Sequence, residues 1–193
     1  MIIDNYQIWR IAIGDAYPEV KQDWLDRGYT INHSEATTPD TMPDFIQFDK
    51  KRRRIGPVAD FTSVEKAIYY SHYALWEMVY NNNEPACIIE HDTVLIADLP
   101  KSIEVQKNKC FCKSSHPDRF KVGKDGKPKT WYTHGAGYFL TPFGAELLMD
   151  HVTSRKVSMN VDGYIRALQD NNGPKWIKQY AVQKDTSLSG IHR

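Results

Sequence analysis

No apolar run in the sequence approaches the roughly 18 residues that a membrane-spanning helix needs. The N-terminus has no basic, apolar and small-residue succession of a secretory signal. A soluble, unexported, cytoplasmic chain is the expectation. Cysteine is scarce, with Cys87, Cys110 and Cys112 the only three in 193 residues. An odd count, with two of them one residue apart, makes no disulfide framework and suits a reducing compartment. Cys110 and Cys112 with His116 form a single cluster with no second pair, which argues against structural zinc. The glycine-rich phosphate motifs are missing as well: there is neither a G-x-G-x-x-G nor a P-loop. Dinucleotide binding and P-loop phosphoryl transfer therefore lack their signatures. The net charge is only +1, so bulk charge does not mark a polyanion binder.

Apolar residues make up 41% of the chain and aromatics 12%, enough for a real core in one domain spanning residues 1–193. Tyr6 to Ile13 reads as a strand and Glu19 to Leu25 as a helix that Gly28 stops. Tyr29 to Ile31 reads as a second strand, giving a β–α–β opening. Thr62 and Glu65 have capping-box spacing. The helix they start carries Val64, Ala67, Ile68, Leu75, Trp76 and Val79 at helical spacing, and Ser71 and His72 fall in that stripe. Those two polar side chains are expected to be buried or aimed into a cleft. Asn81-Asn82-Asn83 and Pro85 end the helix. Lys101 to Lys129 is the least regular stretch, with Asp125-Gly126 as a hairpin turn or a loop able to close over a substrate. Gly135 to Leu140 reads as a strand, and Thr141-Pro142 as the cap and first residue of another helix. Asp162 stands at the start of a short helix, where it is either an N-cap or a catalytic acid. A last strand covers Trp176 to Val182. The order predicts an α/β fold.

The stretch with most chemistry is Cys87-Ile88-Ile89-Glu90-His91-Asp92-Thr93-Val94-Leu95. An apolar strand delivers acids at its C-terminal end, where open α/β sheets place their ligands. Continued alternation would send Glu90 and Asp92 to one side and His91 to the other. Two hard oxygen donors suit Mg²⁺ or Mn²⁺, which usually brings a phosphate with it. The alternative is a pair of solvated turn acids. Two basic stretches stand elsewhere: Lys50-Lys51-Arg52-Arg53-Arg54, and a lysine- and glycine-rich segment containing Lys124 and Lys127. Each is either a solvated loop or a contact for phosphates.

Four ordered blocks between about Phe61 and Ile191 resemble glycosyltransferase family 25, the lipooligosaccharide and collagen sugar transferases. They are Glu65 through Ser71-His72 to Leu75-Trp76; Ile88-Ile89-Glu90-His91-Asp92; Gly135 through Tyr138 to Pro142 with Gly144-Ala145; and Val161-Asp162 with Val182-Gln183 and Ser187. His91 stands where the family usually has an aspartate, Asn160 replaces the usual proline before Val-Asp, and the N-terminal block is barely visible. The resemblance implies a GT-A-type, Rossmann-like nucleotide-sugar fold with a mixed central sheet, and inverting transfer. It implies a Mn²⁺ or Mg²⁺ ion on Asp92 and Glu90, and a nucleotide-sugar donor of UDP type. Ser71, His72 and Gln183 would then lie near the donor. Asp162 becomes the candidate base, with Glu90 as the fallback. His134 or His192 could complete the metal shell.

The acceptor divides the readings. The family points to an oligosaccharide or lipooligosaccharide. The basic stretches point to DNA, such as a hydroxymethylated base of a bacteriophage genome modified in the host cytoplasm. Such a base would be flipped from the stack, where Trp131, Tyr132 and Tyr138 offer stacking surfaces. His91, a poor Mg²⁺ ligand but acceptable to Mn²⁺, motivates a further class: a sugar-nucleotide-binding relative without turnover.

Overall fold

The computed structural model describes residues 2–50, 60–104, 111–113, 120–122, 128–130, 137–165 and 181–183. The elements are β1 (Ile2–Ile3), β2 (Gln7–Ala12), α1 (Pro18–Asp26), β3 (Ile31–Glu35), α2 (Ser63–Asn82), β4 (Ala86–Glu90) and β5 (Thr93–Leu95). They continue with β6 (Ile103–Glu104), β7 (Phe111–Lys113), β8 (Phe120–Val122), β9 (Pro128–Thr130), β10 (Gly137–Leu140), α3 (Pro142–Ser154) and β11 (Ala181–Gln183). Five strands form one mixed sheet in the order β3-β2-β4-β10-β7. β2 pairs in parallel with β3 and β4, while β10 runs antiparallel to β4 and β7. The α/β class and the mixed sheet agree with the sequence. Among the described residues no helix is long and apolar enough to cross a membrane.

β2 lies between its two successors in the chain, β3 on one side and β4 on the other. The connections therefore diverge from the C-terminal end of β2, the place where open α/β sheets hold ligands. Helices cover both faces. Val20 and Trp24 of α1 pack with Ile8, Cys87, Ile89 and Phe139. Tyr69, Trp76 and Val79 of α2 and Leu148 of α3 pack with Ile11, Ile88, Tyr138 and Leu140. A strand buried on both faces has no polar side to alternate with, hence the unbroken Ala-Cys-Ile-Ile of β4.

The expected caps are present. Thr62 and Glu65 close a full capping box on α2, and Thr141 caps α3 through the Gly144 N–H with Pro142 following. Gly28 has φ +84 after α1, a left-handed turn that glycine adopts without strain. Three details differ from the sequence reading. Val64 is exposed and Glu65 is buried in its place, because the capping box pulls Glu65 back over the helix end. The second strand begins at Ile31, since the Tyr29 hydroxyl is drawn to the Leu99 N–H and its ring to Trp24. The stretch read as irregular holds short strands, with β8 and β9 paired antiparallel, while Asp125-Gly126 lies outside the described residues.

Candidate active site

Glu90 is the last residue of β4. Its neighbours at i−2 and i−4, Ile88 and Ala86, pack on the α2 face, and Glu90 follows them there. His72 of α2 meets it, with Nε2 3.6 Å from Glu90 Oε1. The other ring nitrogen, His72 Nδ1, lies 2.8 Å from the Tyr138 hydroxyl, which also accepts the Trp76 indole N–H at 2.8 Å. His72 and Trp76 are one helical turn apart, so one face of α2 supplies both.

Asp162 comes from another part of the chain, and its charge is felt at Tyr138. Residues 161–165 are helical, and the cap is Asn160, whose Oδ1 accepts the Gly163 N–H at 3.1 Å. Asp162 is therefore not the capping residue; it sits in the first turn, half-buried. The segment before it is tied to α2 where the Tyr69 hydroxyl donates to the Met159 carbonyl at 2.5 Å. Burial first, then the charges of Glu90 and Asp162, push the Tyr138 hydroxyl well above its ordinary pKa, against the Trp76 hydrogen bond. Both carboxylates thus act on one buried hydroxyl.

Ser71 is 3% exposed. Its hydroxyl donates to the Ala67 carbonyl and accepts the Thr37 N–H at 2.8 Å. It fastens the loop leaving β3 onto α2, at the same end of the sheet as Glu90. Gln183 pairs with Thr93 in the β11–β5 register, directly after the acidic turn. Thr93 closes that turn by accepting the Glu90 N–H at 3.1 Å.

His91 and Asp92 occupy the turn itself, where strand alternation ends. His91 stacks on Tyr17, with ring centroids 5.1 Å apart, toward the α1 side. Burial, with the charge of Arg10, holds its imidazole below the ordinary histidine pKa, and Glu90 opposes this. Asp92 is 7% exposed. Beneath the turn lies a residue that sequence reading passed over. Arg10 of β2 is 1% exposed and donates through Nη2 to the carbonyls of Ala16, Tyr17 and His91. Burial lowers its pKa, and the charges of Asp15, Asp92 and Glu19 raise it again. The signal was available: an arginine set among Ile8, Trp9, Ile11 and Ala12 in a strand must be buried with partners. Arg10→Met removes the guanidinium that ties three carbonyls and faces Asp92. A loss of about 3 kcal/mol in chemical denaturation is expected, because a buried charge would lose its counter-charge.

Among the described residues no three His, Cys, Asp or Glu side chains are grouped to hold a metal ion. Lys50 is exposed, and Lys51, Arg52, Arg53, Arg54, Lys124 and Lys127 lie outside the described residues, as do Trp131, Tyr132, His134, Ser187 and His192. An open depression of about 480 Å³, lined by Tyr6, Gln7, Tyr29, Asn32 and Lys101 among others, lies at the opposite end of β2 from the acids.

The family model of glycosyltransferase family 25, described as LPS biosynthesis protein, matches residues 26–120. That segment holds Ser71, His72, Glu90 and Asp92, and leaves out Asp162 and Gln183. No curated protein matches the chain. A similar solved structure is a protein assigned as a glucose-1-phosphate thymidylyltransferase from Bacillus anthracis, in complex with a sucrose. It has a TM-score of 0.40 and 8% identity over 93% of this chain and 70% of that chain. With the α2 histidine and the acidic turn inside the matched segment, residues 26–120 carry the similarity to glycosyltransferase family 25, and that domain marks the chain as a glycosyltransferase.

Proposed function

We propose that residues 1–193 form one catalytic domain that moves a sugar from a nucleotide-sugar, of UDP type, to an acceptor hydroxyl with inversion. The observation that supports this reading is Glu90 at the end of β4 facing His72 at 3.6 Å, with the charges of Glu90 and Asp162 both raising the pKa of the neighbouring Tyr138 hydroxyl. Glu90 stands at the C-terminal end of a parallel strand pair, where open α/β sheets hold ligands. In such a reaction the acceptor oxygen bonds the anomeric carbon as the bond to the donor phosphate breaks, and the nucleoside diphosphate leaves. Asp162 takes the acceptor proton, by the same opposed-face logic that governs inverting glycosidases. Ser71 and His72 hold the donor side of the cleft in place, with Gln183 beside the turn.

Glu90 and Asp92 fit a Mn²⁺ or Mg²⁺ ion. Such an ion commonly takes only one or two carboxylates and fills its remaining positions with phosphate and water, so two acids without a third protein ligand are a suitable donor set. When bound it neutralises charge on the leaving diphosphate.

DNA carrying a hydroxymethylated base, as in a bacteriophage genome, is the proposed acceptor. Support comes from the start of the cationic run. Exposed Lys50 follows Asp49, whose N–H donates to the Val157 carbonyl at 2.8 Å, so this first residue of the run stands next to a pairing with the segment leading to Asp162. A donor-hydrolysis panel with Mn²⁺ tests the whole reading. Nucleotide release from one sugar nucleotide, accelerated by hydroxymethylated DNA, is expected. Release indifferent to DNA would move the acceptor to an oligosaccharide or lipooligosaccharide. Binding of a donor without any release would overturn turnover in favour of an inactive relative.

A further inference from the structure

We infer that Tyr138 is a positioning residue: it locks His72 as the Nε2–H tautomer and so aims an N–H at the Glu90 carboxylate. The argument is a proton count along a buried chain. Indole nitrogen can only donate, so the Trp76 N–H fixes the Tyr138 oxygen as its acceptor. The Tyr138 hydroxyl still has its own proton to place. Tyr138 is fully buried, and among the described residues the other hydrogen-bond neighbour of its hydroxyl is His72 Nδ1, at 2.8 Å. Leaving a buried O–H unplaced costs about 1–3 kcal/mol, more than a tautomer change in a free imidazole. The proton therefore goes to Nδ1, which must be the unprotonated nitrogen. Nε2 then carries the hydrogen, and Nε2 is the atom facing Glu90 Oε1.

The 3.6 Å gap is longer than a hydrogen bond, so the contact here is electrostatic. Gaps of this kind commonly close when an active site fills. The opposite tautomer would present a lone pair to the carboxylate and repel it. Stacking of the two rings, with centroids 5.8 Å apart and planes 28° from parallel, keeps the imidazole from turning. The chain Trp76–Tyr138–His72–Glu90 thus carries orientation from the core to the acid at the end of β4. Its kinetic consequence rests on the proposed role of Glu90; the tautomer itself does not.

Two-bond ¹H–¹⁵N correlation on histidine-labelled protein tests the tautomer, with His72 assigned by the signal that His72→Gln removes. The wild-type protein is expected to show the Nε2–H pattern. An Nδ1–H tautomer or a doubly protonated ring at neutral pH would overturn the inference. Tyr138→Phe is expected to mix the tautomers and to lower kcat about tenfold with donor KM nearly unchanged, the lower end of outer-partner effects. Trp76→Phe removes the bond on the far side of the hydroxyl and should keep the single tautomer. A single retained tautomer in Tyr138→Phe refutes the claim. If that variant fails to fold, His72→Gln and His72→Asn decide. Glutamine places its amide N–H near the Nε2 position and should keep about ten times more kcat than asparagine, while equal losses would refute the role. The spectrum needs no turnover, so an inactive protein would sink the enzymatic reading and leave the tautomer standing.

Discussion

Asp162→Asn is expected to lower kcat on the order of 10²–10⁴-fold, the usual contribution of a positioned general base. Donor binding should be nearly unaffected, because the group acts on the acceptor side. The structure makes this substitution cleaner than the sequence suggested. An aspartate at a helix start is first of all a cap, and removing a cap costs about 1 kcal/mol of stability. Here Asn160 is the cap, so Asp162→Asn leaves the helix end intact. The check is steady-state kinetics beside a thermal melt. A large kcat loss with an unchanged melt supports the base. A kcat within threefold of wild type removes Asp162 from that role and transfers it to Glu90. The substitution is read against Glu90→Gln in the same assay, since the charges of both acids act on the Tyr138 hydroxyl.

The second large effect concerns Asp92. Asp92→Asn should reduce Mn²⁺-dependent turnover on the order of 10²–10³-fold, as expected for one lost electrostatic group at a charge-developing centre. Alanine is the wrong choice at this position. Asp92 is 7% exposed, and its charge helps sustain the buried guanidinium of Arg10. A truncation would leave a void and an under-compensated cation, so lost folding would be mistaken for lost chemistry. Asparagine keeps the volume and removes the negative charge. Measuring the Mn²⁺ concentration for half-maximal rate separates the outcomes. A raised Mn²⁺ requirement with a restored rate at saturation marks a ligand. An unchanged requirement with unchanged rate would assign Asp92 to balancing Arg10 alone.

Local signals explain why much of the architecture was readable. The capping box at Thr62, the Thr141-Pro142 start and Gly28 all act within a few residues, and each is where the sequence placed it. The apolar run before Glu90 read correctly as a strand, and its burial on both faces is why it shows no alternation. The errors fall where distant contacts override local pattern. Tyr29 belongs to no strand because Trp24 and Leu99 claim its side chain. The strand stops at Glu90 and His91-Asp92 form a turn, since Thr93 accepts the Glu90 N–H, which nothing within the segment announces.

Composition and spacing alone determined the α/β class, the helix boundaries around Ser71 and His72, and the acids at the end of β4, because these depend on neighbours one or two turns away. Only the tertiary structure decided what each polar group faces. It sent His91 onto Tyr17 and set Arg10 under the acidic turn. It gave the cap before Asp162 to Asn160, and joined Trp76, Tyr138, His72 and Glu90 into one chain. The direction of a buried hydrogen bond depends on which donors and acceptors the fold brings together and on the cost of leaving one unplaced. Sequence distance carries no information about that pairing.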